Sequence, residues 1–478
     1  MTRMSKSTTA VMNKVSSQHV VPQEFTGGGE MANKVAMHKK TVAELLASPT
    51  TNLHTNTDVN DDKLIPKAVI QAHIDAGATA SFLVTNMDSI RSMHTLWMTE
   101  LPMVKPFYAV KCNPDPSIVR LLASLGCGFD CATQGEIDLV CNGLGDELSF
   151  SPEKAASSII YAHPAKMKHM LRFALDQKVG MTVFDGEDEL HKIASMEGFK
   201  DIQVLLRLTT DDKSSICRFS KKFGCPVGEA THLLEVAKSL GVNVVGCSFH
   251  VGSGCGDAQA YTTALDHCRQ VFISAEKLGM QPMSVIDIGG GFPGDTGGYG
   301  GEGMPTFQEL ASEIRGGIAS FCEGGWTTRS VKDFRFMAEP GRYFVSASTS
   351  IASRVYSRKG GQSNDHQALY LDDGVYGSFN SVVYDHATPV PYRVVPKGSA
   401  EYTTDAVDGD IAVPVLMPTA VFGPTCDGLD QICSVDTTLM PRVNVDDWLV
   451  FDNCGAYTHT ASFFFNGYTH IPSKLYCN

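Results

Sequence analysis

Lys111 stands at the end of a short apolar run, in Phe107-Tyr-Ala-Val-Lys-Cys-Asn-Pro114. A lysine amine that is positioned and partly deprotonated is a Schiff-base nucleophile. A solvated lysine at a strand end is the plainer reading of the same residue, and its downstream neighbours shift the balance. His250-Val-Gly-Ser-Gly254 and Asp287-Ile-Gly-Gly-Gly-Phe-Pro-Gly294 offer bare backbone N–H groups, and such nests bind phosphate. Either run alone is also a tight turn. The flat ring of His250 could stack on an aromatic face, with a buried structural histidine as the competing reading. In Ala338-Glu-Pro-Gly-Arg342, Glu339 could face a ring nitrogen and Arg342 a phosphate. A Glu–Arg ion pair across a Pro340-Gly341 turn would use the same residues. In Phe422-Gly-Pro-Thr-Cys-Asp-Gly428, the Cys426 thiol could deliver a proton and the Asp427 carboxylate could hold a substrate cation. Without context that segment is a turn with a free thiol.

These residues need elements to hold them. From about residue 82, short apolar runs alternate with helix-length segments of mixed polarity. The runs are Val104–Val110, Gly128–Cys131, Ser158–Ala162, Met181–Phe184, Val204–Leu208, Val244–Phe249, Ser284–Ile288 and Phe334–Ala338. Each fits a parallel strand buried on both faces. Helices are expected at Ser117–Ser124, Gln134–Cys141 and Ala230–Leu240, and Thr133-Gln-Gly-Glu136 resembles a capping box. Eight β-α units in about 260 residues match a (β/α)8 barrel, with a doubly wound sheet as the alternative. Lys111, Asp130, Arg207, His250, Gly289-Gly-Gly291 and Glu339 fall at the C-terminal ends of the runs, where barrel active sites lie. A lysine, two phosphate cradles, a carboxylate and a late Cys-Asp pair make the set that pyridoxal 5'-phosphate (PLP) chemistry needs. The carboxylate would keep the pyridine nitrogen protonated, so that the ring acts as an electron sink.

After about Arg342 the rhythm changes. Phe344–Val355, Ala368–Leu371, Ile411–Leu416, Trp448–Asp452 and Ser462–Phe465 read as strands of a second, mostly antiparallel β domain. The expected division is a tail over 1–48, a PLP-binding barrel over 86–345, and a β domain over 346–478 joined by 49–85. Thr41–Ala47 reads as a short helix within a polar tail, Thr51–Asp62 as a loop, and Gly294–Pro305 as a glycine-rich surface insertion.

Composition narrows the partners. A net charge of −13 argues against nucleic acid or an anionic membrane surface. No apolar run approaches the ~20 residues that span a bilayer. The 14 cysteines form neither a disulfide framework nor a zinc pattern, so free thiols in a reducing, cytoplasmic compartment are expected and no metal is.

From roughly Asp62 to Tyr468 the chain closely resembles the eukaryotic ornithine decarboxylase family, within the alanine-racemase-like (fold type III) PLP enzymes. The resemblance rests on Phe107–Pro114, Gly128-Phe-Asp-Cys-Ala132 and Ser248-Phe-His-Val-Gly-Ser-Gly-Cys255. Asp373-Gly-Val-Tyr-Gly-Ser-Phe-Asn380 and Tyr384-Asp-His-Ala387 carry it equally. It implies that Lys111 binds PLP as a Schiff base and that Asp130, Glu136, Arg207 and His250 line the cofactor, His250 on its ring. It places Ser253, Gly291, Arg342 and Tyr457 on the phosphate and Glu339 on the pyridinium nitrogen, with Gly290 and Gly341 also against the cofactor. Cys426 would protonate the substrate's α-carbon. Asp427 and Asp385, with Tyr384 beside them, would receive its distal ammonium. The implied reaction is decarboxylation of L-ornithine to putrescine, the first step of polyamine biosynthesis. The implied assembly is a homodimer in which Lys111 and His250 come from one chain and Cys426-Asp427 from the other. The same chemistry on lysine or another basic amino acid is the alternative, as is a non-catalytic, antizyme-inhibitor-like binding protein. Antizyme is thus a candidate partner, although the chain stops soon after Tyr468 without the extended degradation tail of vertebrate relatives. His163, in Ala162-His-Pro164, stands where relatives usually have Asn, and the segment before Asp62 is longer than usual.

Overall fold

The computed structural model describes residues 64–144, 151–294, 303–360, 365–398, 415–468 and 471–478. The expected tail over 1–48, the Thr41–Ala47 helix, the Thr51–Asp62 loop and most of the Gly294–Pro305 insertion lie outside these residues.

Eight strands close into a barrel: β1 (Val104–Ala109), β2 (Gly128–Cys131), β3 (Ile159–Tyr161), β4 (Met181–Phe184), β5 (Gln203–Arg207), β6 (Val244–Ser248), β7 (Val285–Asp287) and β8 (Arg335–Ala338). Every neighbouring pair is parallel, and β8 hydrogen-bonds to β1 to complete the ring. All eight expected strands are present, and the doubly wound alternative falls. The apolar runs were continuous because both strand faces are buried. Phe107, Ile160, Val183, Leu205 and Met337 fill the barrel interior, whereas Tyr108, Phe129, Val204 and Leu206 point outward into the core shared with the helices. Each such side chain, once buried, contributes ~1.5–3 kcal/mol.

The helices begin where their capping residues stand. Asp115 accepts from the Ser117 N–H to start Pro116–Ser124. Thr133 accepts from the Glu136 N–H to start Gln134–Asn142. Only that half of the expected capping box forms as anticipated, because Glu136 Oε2 accepts the Ala132 N–H at 2.6 Å.

A second sheet of nine strands is mostly antiparallel, built on the long strand Thr349–Lys359 between Gln367–Leu371 and Trp448–Phe451. Phe82–Asn86 opens the β-α rhythm in sequence, yet it belongs to this sheet. It runs antiparallel to Thr349–Ala352 and parallel to Ser473–Cys477. Three expected strands need correction. Arg342–Val345 is a helical turn, and Ser346–Ser348 continues it, so the strand starts at Thr349 rather than Phe344. Tyr343 and Phe344 are buried there against Trp97, with ring centroids at 5.3 and 6.1 Å, so their bulk serves helix packing. Ser462–Phe465 forms no strand. Asn466, at φ +58°, turns the chain through a 3-10 turn, Phe465–Gly467. Of Ile411–Leu416, residues 411–414 lie outside the described set, and the strand itself is Met417–Phe422.

Among the described residues no helix is long and apolar enough to cross a membrane. All fourteen cysteines are free thiols.

Candidate active site

The C-terminal ends of the barrel strands enclose a cavity of about 420 Å³. Lys111 reaches it from the 3-10 turn Val110–Cys112, which follows β1. Its Nζ donates to Asp130 Oδ2 at 2.6 Å, at the end of β2, where the carboxylate is 1% exposed. Burial alone would strip the proton from Lys111. The Asp130 carboxylate, helped by Tyr457 and Glu339, more than reverses this and holds the amine as an ammonium. The other oxygen of Asp130, Oδ1, is buried without a hydrogen-bond partner. Glu136 does not line the cavity. It braces the turn after β2 through Ala132, and burial raises its proton affinity.

Arg207 ends β5, its guanidinium 5.2 Å from the Phe223 ring centre. His250 follows β6. Its Nδ1 accepts the Gly252 N–H at 3.0 Å, which leaves the ring proton on Nε2. Burial, then Arg207 and Lys111, hold this imidazole well below the usual histidine range, so it is neutral at pH 7. Glu339 follows β8 and is 7% exposed. Burial and the neighbouring Asp287 carboxyl push it well above the usual carboxylate range.

The glycines form a cradle. Gly291 sits at φ +106°, and a Cβ there would lie 2.7 Å from Gly252 O. A Cβ on Gly290 would lie 2.8 Å from His250 Nε2, and one on Gly341 would lie 3.0 Å from Cys112 Cβ. No side chain fits, so the backbone itself faces the cavity. Beside it, Arg342 Nη2 binds Asp385 Oδ2 at 2.5 Å and reaches Ser253 Oγ at 3.5 Å. Its guanidinium lies 5.1 Å from the centre of the Tyr457 ring. Tyr457 takes a left-handed φ of +52° and donates its N–H to Cys112 O, which ties it to the Lys111 turn.

The expected residues therefore divide into two groups. Lys111, Arg207, His250, Ser253, Gly290, Gly291, Glu339, Gly341, Arg342, Tyr384, Asp385 and Tyr457 line one cavity, and Asp130 stands behind Lys111. Cys426 and Asp427 do not line it. Cys426 is exposed, and its N–H donates to Asn466 Oδ1 at 3.1 Å. Asp427 accepts the Tyr376 hydroxyl, which holds the carboxylate below its usual range.

Sequence reasoning missed Cys217, Phe219 and Phe223 in the cavity wall. They lie between β5 and the helix Val227–Leu240, and that long barrel connection was the available signal. His163 also lines the cavity, and the Phe223 ring packs edge-on against it at 5.5 Å.

The residues present suit PLP. A lysine is paired to a carboxylate, glycine backbone and an arginine offer an anion seat, and a buried acid waits for a ring nitrogen. The cavity is within the ~300–1,000 Å³ range of small-molecule sites. The comparisons agree. Residues 87–346 match the family model "Pyridoxal-dependent decarboxylase, pyridoxal binding domain". The chain is 38% identical to an ornithine decarboxylase of Caenorhabditis elegans, over 87% of this chain and 94% of that one. It is 39% identical to antizyme inhibitor 2 of Xenopus laevis, over 82% and 80%. Its structure is similar to that of the Paramecium bursaria Chlorella virus arginine decarboxylase bound to agmatine. The TM-score there is 0.72 at 29% identity, covering 87% of this chain and 100% of that one. With its barrel, its lysine and its anion cradle in these positions, the chain belongs to the pyridoxal-dependent decarboxylases, and PLP is its cofactor.

Proposed function

We propose that this chain decarboxylates L-ornithine to putrescine, and that two copies of it build each active site. The Lys111–Asp130 pair, with the buried Glu339 in the same cavity and an anion seat beside it, carries the reading. When bound, PLP supplies an electron sink for the pair left by the departing carboxylate. Lys111 would attach it, Glu339 would face its ring nitrogen, and neutral His250 would lie against its face without adding charge. The Gly290–Gly291 backbone, Ser253, Arg342, Gly341 and Tyr457 would seat the phosphate. Arg207 would hold the remaining edge, with Asp130 behind Lys111 and Glu136 bracing the turn that follows β2. Lys111 rests as an ammonium, so it must give up a proton before it reacts, and Asp130 is the acceptor within reach.

The substrate reading rests on carboxylates. Asp385 and Tyr384 stand at the cavity, and Asp427 adjoins Cys426. Such a set favours a compact terminal ammonium and repels a second carboxylate. Lysine is one methylene longer than ornithine, a difference worth only ~1–3 kcal/mol of discrimination.

The dimer reading is supported by where Cys426 lies. A thiol outside the Lys111 cavity cannot deliver a proton there within one chain. Around it, Phe463, Phe464, Phe465, Tyr468 and Leu429 are exposed, and Tyr384 is 62% exposed at the cavity. An apolar patch of this kind beside a reactive group fits burial by a second copy. The fourteen free thiols fit a cytoplasmic site of action.

A second reading comes from the X. laevis relative: a chain that binds antizyme instead of turning over substrate. CO2 release separates the two readings. Purified protein with PLP is given L-ornithine, L-lysine or L-arginine, with Lys111→Ala and Cys426→Ala as controls. Ornithine-dependent release lost in both variants is expected. PLP bound with no release from any amino acid would favour the binding reading.

A further inference from the structure

Asp287 ends β7 and is fully buried, yet no step above uses it. Its Oδ1 accepts the Gly289 N–H at 2.9 Å. Its Oδ2 is enclosed with no amide donor, and the acid that stands against it is Glu339. The same glycine also fixes Glu339, whose N–H donates to Gly289 O at 2.7 Å. One residue thus pins the Asp287 side chain with its N–H and the Glu339 backbone with its carbonyl. That residue cannot shift or be replaced easily. Gly289 sits at φ +65°, and a Cβ on it would lie 2.1 Å from Phe249 O.

Two carboxyls held together in the barrel cannot both ionise. Asp130 adds a third acid, and Lys111, Arg207 and Arg335 are the cations that face the group. Burial pushes Asp287 up to about 7 and Glu339 well above the usual carboxylate range, so at neutral pH the pair retains a proton.

We infer that Asp287 is a positioning residue for Glu339: it keeps the shared proton, donates it to the Glu339 carboxylate, and aims that carboxylate at the cofactor's ring nitrogen. This rests on the proposed placement of that nitrogen at Glu339. When a cationic nitrogen faces Glu339, the negative charge settles there and the proton remains on Asp287, whose Oδ1 stays on Gly289. A neutral donor then backs the carboxylate from below.

The test is PLP affinity, by absorbance titration between pH 6 and 8.5, in wild type, Asp287→Asn, Asp287→Ala and Glu339→Gln. A carboxamide can accept from Gly289 and donate to Glu339, so Asp287→Asn should stay within about threefold of wild type, while Asp287→Ala weakens binding about tenfold or more. The pH profiles of the bound-PLP absorbance in Asp287→Asn and wild type should coincide, because with a cationic nitrogen at Glu339 both residues are neutral donors. A profile displaced by about one unit or more to lower pH in Asp287→Asn would mean that Asp287 is ionised, and would overturn the inference. Wild-type affinity in Asp287→Ala, or an equal loss in Asp287→Asn and Asp287→Ala, would overturn it too. If Asp287→Ala does not fold, Asp287→Asn decides alone. Unchanged affinity in Glu339→Gln would instead refute the placement of the ring nitrogen, a failure that the Asp287 variants do not mimic.

Discussion

If Lys111 and Cys426 serve one site from two chains, two dead variants should restore each other. Lys111→Ala removes the amine from its own cavity, and Cys426→Ala removes the thiol outside that cavity. Mixed in equal amounts under conditions where subunits exchange, half of the dimers pair one variant with the other. Each such dimer has one site with both lesions and one with neither. Random pairing therefore predicts recovery of about a quarter of wild-type activity, from a closed two-fold assembly. The assay is CO2 release from ornithine after mixing, with native mass spectrometry to count the mixed dimers. Tyr384 stands at the cavity and Asp427 beside Cys426, so Tyr384→Ala and Asp427→Ala should sort as the lysine and cysteine variants do. No recovery, with mixed dimers present, would mean that the proton donor belongs to the same chain as Lys111, and the shared-site reasoning would fail.

Gly291→Ala should cost about 1–3 kcal/mol of stability from its left-handed backbone and weaken PLP binding as well, which thermal melts and PLP titration would show. Lys166 is buried and ion-paired to Glu189 at 2.9 Å, so Glu189→Gln should destabilise the fold by about 3–5 kcal/mol at pH 7. Burial lowers Lys166 to about 8, so that penalty should shrink by pH 9, where Lys166 sheds its proton. Asp287 has a folded value near 7 against 3.8 when free, so its contribution is present at acid pH and is lost as pH rises through about 7. The cofactor-free protein should therefore be less stable at pH 8 than at pH 5.5, by about 2 kcal/mol, with a smaller difference in Asp287→Asn. A flat wild-type profile would refute this.

The barrel was legible because strands buried on both faces, such as Met181–Phe184, are written as unbroken apolar runs. The same property misled at Tyr343-Phe-Val345, where total burial belongs to a helical turn packed on Trp97. It misled again at Ser462–Phe465, where aromatic residues lie exposed. Phe82–Asn86 shows why rhythm alone does not assign a strand to a sheet: its partners are about 270 and 390 residues away in sequence. In the site, glycines, Lys111 and Glu339 were readable because each falls at a strand end. Asp287 was hidden within the glycine signature that it opens, since its role depends on an acid after the neighbouring strand, some fifty residues later in sequence. Phe219 and Phe223 were hidden in a loop with no periodicity. The Cys426 loop was readable as chemistry, but its place outside the Lys111 cavity was not, because it is set by the fold of the β domain.

The strand Ser473–Cys477 does more than close a sheet. Lys474 Nζ and Tyr476 Oη both bind Asp115 Oδ2, at 2.7 and 2.9 Å, four residues past Lys111. Asn113 Nδ2 donates to Gly455 O at 2.9 Å. On the ribosome, Lys474 emerges 359 residues after Asp115. The loop that presents the reactive amine thus lacks these anchors for most of translation, at synthesis rates of ~5–20 residues per second. A nascent barrel would have its eight strands well before the loop that follows Lys111 is pinned. Fixing of the loop beside the reactive amine then becomes a late maturation event, timed by the strand Ser473–Cys477 and not by closure of the barrel.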